Sequence, residues 1–370
     1  MDGDWEDVEK VPEKQPEKKR TMDDFYEENK EYISHVETRL QHKVCIYQRR
    51  NEDKNAPWLL MIHGSCARMG QFEDQINALH KQFHIVAFDR IGCGKSEKPK
   101  DASNYSDSNI FEDLCTIFET YVCKVHEKAK EGDNKESEEK KEMDDIVTES
   151  PEIFLMGHSY GCSQALRLAH RYQHMLKIRG VCLFGCANIL SEQLPFVVRS
   201  VFSLPDLMLG WMAPSLSTNF RANALHKESG RYDYLEALES TMVNPVYMFK
   251  AFYQQLKFIK QKDLDDMLTH AKDHPVPICM IHGAEDGIIP LTEASAVHNH
   301  LQSTLKAAFP TSDTFLLEFH SIDKCKHQVM QEKPDECTQI VLKFWEKCIA
   351  FSKQSQGDDL DQNNDTNDKN

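Results

Sequence analysis

The sequence predicts an α/β fold in which a mostly parallel central sheet is flanked by helices and carries a helical cap. Three observations predict it. Short apolar runs alternate with amphipathic helical segments along most of the chain, the strand-then-helix order that builds parallel sheets. The run WLLMI at Trp58–Ile62 is apolar at every position, as a strand covered on both faces requires. Residues 190–272 break the alternation with a mostly helical stretch too long for a loop, which reads as the cap.

The elements follow in order. Val44–Arg49 reads as an early strand, and Trp58–Ile62 as the next, ending in His63-Gly64. Gln71–Phe83 places Phe72, Ile76, Leu79 and Phe83 on one helical face. His84–Phe88 is a strand ending at Asp89, and Ile110, Leu114, Ile117, Phe118, Tyr121 and Val125 mark another amphipathic helix. Glu152–Met156 is a strand that runs through a Gly-rich turn into a helix over Tyr160–Arg171. Gly180–Phe184, Val276–Ile281 and Phe315–Phe319 complete the strands, and Pro334–Phe351 is a closing helix.

Charge divides the chain further. Of the net −16, residues 1–30 hold 11 acidic and 6 basic residues, residues 127–149 hold 10 and 5, and residues 352–370 hold 5 and 2. These segments account for all but three of the surplus negative charges, so the body is close to neutral. Their composition predicts a disordered acidic N-terminal segment (1–30), a charged insertion (127–149) within one domain spanning 31–351, and a disordered acidic tail (352–370). No basic stripe offers a surface for nucleic acid.

Twelve scattered cysteines include no C-x-x-C pair, so no metal site is expected. With no apolar leader and no long apolar run, the expectation is a cytoplasmic protein with reduced thiols. Neither G-x-x-x-x-G-K-[ST] nor G-x-G-x-x-G occurs, so no cofactor is expected. Asp89–Ser96 (DRIGCGKS) has its glycines too close together for a phosphate loop and reads as a tight turn shaping the pocket.

The strongest chemical signal is Gly157-His158-Ser159-Tyr160-Gly161. It follows an apolar strand and opens a helix, the context of a nucleophile elbow. Gly157 and Gly161 meet the need for small residues two positions either side of Ser159. A serine nucleophile needs a base, and the base an orienting acid, in the chain order Ser, acid, His. Asp286, after the strand ending at Ile281, is the acid candidate, with Glu285 its neighbour and competitor. His327, between the last strand and the final helix, is the base candidate, with His320 its rival. The backbone N–H groups of Ser65 and Tyr160 are the candidate oxyanion donors. His63 reads as structural, fixing the loop after its strand.

Together these pieces resemble the α/β-hydrolase superfamily across residues 40–350. Within it the chain looks most like the abhydrolase-domain proteins, in particular their eighth subfamily. Gly157–Gly161, Ser200-Val201-Phe202-Ser203-Leu204-Pro205 and His327-Gln328-Val329-Met330 carry that likeness. The resemblance implies a serine hydrolase with Ser159, Asp286 and His327 as triad. A serine at the elbow argues against the aspartate-nucleophile branches. The chain departs from its relatives at Lys326, where glycine is usual, and Glu332 replaces the aspartate of the His-x-x-x-x-Asp acyltransferase motif.

The cap bears on substrate. Leu194–Pro214 carries only Arg199 and Asp206 as charges. Burial of cap helices against the sheet is its ordinary reading. A lining for an acyl chain, or peripheral contact with a membrane or lipid droplet, are the alternatives. The expected substrate is a small-molecule or lipid ester. A non-catalytic interaction protein on the same scaffold, or an acyltransferase, stands as the other reading; the sequence leaves oligomeric state open.

Overall fold

The computed structural model describes residues 20–123 and 151–364, apart from 187, 188, 192, 193, 195, 242, 243, 271–274, 312 and 313. The charged insertion at 127–149, residues 1–19 and residues 365–370 lie outside the described residues.

Eight strands form one sheet: β1 (Ile33–Glu37), β2 (Lys43–Arg49), β3 (Trp58–Ile62), β4 (His84–Phe88), β5 (Ile153–His158), β6 (Ile178–Phe184), β7 (Ile278–Gly283) and β8 (Leu317–Ile322). Their spatial order is β1-β2-β4-β3-β5-β6-β7-β8. β1 and β2 pair antiparallel to their neighbours, and every pair from β4 to β8 is parallel. Every residue of β3, β4, β5 and β7 is buried, which explains their unbroken apolar runs.

The helices are α1 (Asp24–Glu28), α2 (Glu73–Leu79), α3 (Asp107–Phe118), α4 (Tyr160–Tyr172), α5 (Phe196–Val201), α6 (Asp206–Ala224), α7 (Tyr232–Ser240), α8 (Val246–Gln255), α9 (Gln261–Thr269), α10 (Leu291–Ala308), α11 (Val329–Glu332) and α12 (Pro334–Asn364). Alternation along each strand sorts the core into two layers. Leu60, Ile62, Leu155 and Leu183 face α3, α4, α9 and α10. Leu59, Met61, Met156 and Phe184 face α2 and α12, where Phe83, Phe154 and Trp345 pack with ring centroids 4.4 to 5.7 Å apart.

Four expectations need correction. Residues 20–30, assigned to a disordered segment, are folded: Phe25 and Tyr26 are buried and the Tyr26 hydroxyl donates to Asp89 at 2.7 Å. These two apolar anchors outweigh the charge around them. The closing helix α12 runs on to Asn364, into the tail expected to be disordered. The cap is shorter than 190–272, because Leu264, Met267 and Leu268 of α9 bury in the main core. Finally, α6 leaves large apolar side chains exposed: Leu207 and Trp211 are 88% and 89% exposed, and of its described residues only Leu209 and Ala224 are buried. β1 was not legible from periodicity, since it buries no residue fully; α10, whose buried Ala294, Val297, Leu301 and Leu305 do stand at helical spacing, was missed.

The cap comprises α5 to α8. It is seated by α8, whose Met248, Ala251 and Phe252 pack on Ile91, Tyr105 and Tyr160.

Candidate active site

β5 ends in a turn sharp enough to put Ser159 in a rare backbone conformation, φ 52° and ψ −118°. A non-glycine residue there stores on the order of 1–3 kcal/mol of strain. The turn tolerates it because its flanking glycines leave room. A Cβ added at Gly157 would lie 2.6 Å from the Gly161 carbonyl oxygen, and one at Gly161 would lie 2.1 Å from the Ile62 oxygen. The Ser159 N–H donates to the Phe184 carbonyl at 2.9 Å, tying the elbow to the end of β6. Ser159 sits at the N-terminus of α4, a 13-residue helix whose dipole and first-turn N–H groups favour negative charge. His158 and Tyr160 are buried, while Ser159 is partly exposed.

β7 delivers Asp286 to the same sheet edge. Its Oδ1 accepts the N–H groups of Ile288 and Ile289 at 2.8 and 2.9 Å, and its Oδ2 accepts His327 Nδ1 at 2.8 Å. Burial alone would raise the Asp286 carboxyl. Attraction to His327 and these hydrogen bonds outweigh burial and hold it below the usual range. His282 Nε2 lies 3.4 Å from the same Oδ2 and bonds the Ile289 carbonyl. The competitors point elsewhere. Glu285 bonds His226 Nε2 at 3.0 Å, and His320 bonds Glu318 at 2.9 Å.

Two contacts bring His327 to the elbow. The residue before Ser159, His158, donates from Nε2 to the His327 carbonyl at 3.1 Å. Gly185, one residue beyond the carbonyl that holds Ser159 N–H, leaves space for the His327 ring: a Cβ there would lie 3.3 Å from His327 Nδ1. Burial, and then the proximity of His327, push the His158 imidazole down to about 3, so it stays neutral beside its neighbour.

The loop after β3 passes against the serine. A Cβ at Gly64 would lie 3.3 Å from Ser159 Cβ. Ser65 follows, and Cys66 adopts φ 54° with its carbonyl accepting from Asn244 Nδ2 at 2.7 Å. His63 has the structural role expected of it. Its Nε2 accepts the Arg90 N–H at 2.9 Å, and burial followed by the Arg90 charge keeps the ring well below its usual pKa. The buried Arg90 guanidinium donates to the His63 and Gly64 carbonyls at 2.7 and 3.3 Å and lies over the Tyr160 ring. In the Asp89–Ser96 turn, the Asp89 carboxylate accepts from Met69 N–H, Lys95 N–H and Tyr26, so the loop's polar groups serve the fold.

Sequence reasoning missed the clamp that holds the cap to these loops. The last carbonyls of α6 have no helical partners. They accept instead from Lys326 Nζ (Ala222, 2.6 Å), Gly287 N–H (Asn223, 3.1 Å) and Gln328 N–H (Ala224, 3.2 Å). The departure at Lys326 thus has a structural use. Glu332 adds to it, accepting the N–H groups of His226 and Lys326 at 2.9 and 3.1 Å. Partners this distant in sequence leave no local signal; only a buried glutamate after the histidine could have hinted at one.

The alpha/beta hydrolase family model matches residues 59–340. The chain is 23% identical over 292 residues to Protein ABHD8 of Bos taurus, covering 78% of this chain and 56% of that protein. It therefore spans about half the length of the relatives it matches. A thermophilic esterase from Thermogutta terrifontis superposes with a TM-score of 0.60 at 14% identity, covering 85% of this chain and 98% of the other. An esterase from Exiguobacterium antarcticum does so with 0.56 at 15% identity, covering 85% and 99%. With the matched model spanning most of its folded body, the chain belongs to the alpha/beta hydrolase family, as an abhydrolase-domain protein resembling ABHD8.

Proposed function

We propose that the chain is a serine hydrolase that cleaves carboxylic esters of lipid type, acylglycerols or lysophospholipids. The observation that carries this reading is the 2.8 Å hydrogen bond between buried Asp286 and His327, next to a serine held at a strained helix N-terminus. In the proposed cycle Ser159 Oγ attacks the ester carbonyl while His327 takes its proton. Asp286 holds the imidazole and stabilises its cation. The N–H groups of Ser65 and Tyr160 receive the developing oxyanion. His327 then protonates the departing alcohol, and a water activated by the same ring cleaves the acyl-enzyme.

The lipid assignment rests on the cap. Phe196, Leu207 and Trp211 present apolar surface to solvent above a nearly neutral body, which favours an amphipathic ester met at a membrane or lipid-droplet surface. No helix among the described residues is long and apolar enough to cross a membrane; the contact proposed is a peripheral one through the cap. The fluorophosphonate reaction tests the assignment of Ser159. Labelling of the wild type and none of folded Ser159→Ala is expected. A folded wild type that takes no label overturns it.

A further inference from the structure

Away from the elbow, on the face of the sheet covered by α12, a second group of reactive side chains comes together. Cys279 of β7 and Glu318 of β8 are register partners, and His320 follows two residues along the same face of β8. Their ligand atoms, one from each residue, all lie within 4.8 Å of one another. Cys182 of β6 is the register partner of Cys279 on its other side. His320 Nε2 bonds Glu318 Oε2 at 2.9 Å. Neighbouring strands thus align sulfur, nitrogen and oxygen donors in one row.

We propose that Cys279, His320 and Glu318 bind a zinc ion, with a solvent molecule in the fourth position. The donor types select the metal. Thiolate and imidazole favour zinc over magnesium or calcium, which take oxygen-only shells. Donors on a tetrahedral zinc at about 2.0–2.3 Å stand roughly 3.6 Å apart, so a spread of 4.8 Å needs side chains to shift by only about 1 Å. Charge also fits. One thiolate and one carboxylate would balance Zn²⁺, and Lys347 Nζ sits 2.6 Å from the other Glu318 oxygen. The Cys279 thiol is buried, whereas His320 and Glu318 are partly exposed at the sheet edge and give the ion its way in. Binding would release the Cys279 thiol proton to solvent, with no change of oxidation state. A site assembled across two strands has no C-x-x-C signature, which is why cysteine spacing gave no sign of it. Its role would be to tie β7 to β8 below the loop that carries Asp286.

The test uses the full chain, reduced, stripped with a chelator, reloaded with Zn²⁺ alone and desalted. About one equivalent of zinc per chain is expected to remain. The Co²⁺-loaded protein should show a thiolate-to-metal charge-transfer band. Cys279→Ser should lose both. The half-exposed His320→Ala is a variant expected to fold whatever happens to Cys279→Ser, and should weaken binding at least about tenfold. Cys93→Ser, remote from the row, should retain the metal. A wild type that emerges without zinc, or zinc retained equally by folded His320→Ala and Cys279→Ser, overturns the proposal.

Discussion

The Glu332 carboxylate accepts the backbone N–H of Lys326 at 3.1 Å, one residue before His327. Its other oxygen accepts the N–H of His226, just beyond the end of α6, at 2.9 Å. One buried side chain therefore sets the path of the histidine loop and docks the cap to it. Burial raises its pKa, and the two donated hydrogen bonds oppose that rise. Glu332→Ala leaves two N–H groups without this acceptor, each costing about 1–3 kcal/mol when buried. A lower Tm is expected, together with a drop in kcat larger than any change in KM, because His327 is displaced while the acyl site is intact. Ester kinetics beside a thermal melt check this, and wild-type values for both in Glu332→Ala would sink it.

The Asp286–His327 pair makes a sharper prediction about which histidine is the base. Asp286→Asn keeps the shape of the loop but removes the charge that stabilises an imidazolium at His327. The loss in kcat should be about ten-thousandfold, as for other triad acids. His327→Ala should be as damaging, and His320→Ala should leave ester turnover within about twofold, since its partners lie in a different cluster. Turnover of a short soluble ester distinguishes them. An inactive but folded His320→Ala beside an active His327→Ala would reassign the base.

The contrast between these two histidines shows what was legible in the sequence. Ser159, Asp286 and His327 each sit in a local pattern, a strand running into a turn, so a short window of residues reveals them. The distances then rest on groups with no such pattern. Arg90 braces the loop before Ser65, His158 holds the carbonyl of His327, and Lys326 reaches across to Ala222. Each of these contacts joins segments that only the folded sheet edge brings together. The same holds for the N-terminal segment. Its charge argued for disorder, yet Phe25 and Tyr26 find a buried seat that composition averages away.

The exposed cap predicts binding to a lipid surface. Burying one large apolar side chain is worth about 1.5–3 kcal/mol, so Leu207→Ser with Trp211→Ser should weaken vesicle association by more than about tenfold. Because neither side chain is near Asp286 or Ser65 in the contacts described, turnover of a short soluble ester should be unchanged while turnover of vesicle-borne lipid falls. Co-sedimentation with phosphatidylcholine vesicles measures the first effect. Equal sedimentation of the wild type and the double variant would remove the basis for a lipid-surface role.

Glu239 on α7 gives the pH dependence of stability. Burial pushes its carboxyl up to about 7, against the opposing fields of Arg221, Arg68 and His327. The folded state therefore holds a proton that the unfolded chain releases near the ordinary value of 4.5. Between those two values the native state binds more protons than the unfolded state, so stability falls as pH rises, and levels off above about 7. Below the unfolded pKa both states are protonated and the penalty vanishes. At about 1.36 kcal/mol per pKa unit, a rise from 4.5 to about 7 amounts to an order of 3 kcal/mol at pH 8. Glu239→Gln, neutral at every pH, should thus melt several degrees higher than the wild type at pH 8, with the gap narrowing towards pH 5. Melts of both proteins across that range measure the gap, and a constant difference, or a variant less stable at pH 8, would show that Glu239 is ionised and paired in the fold.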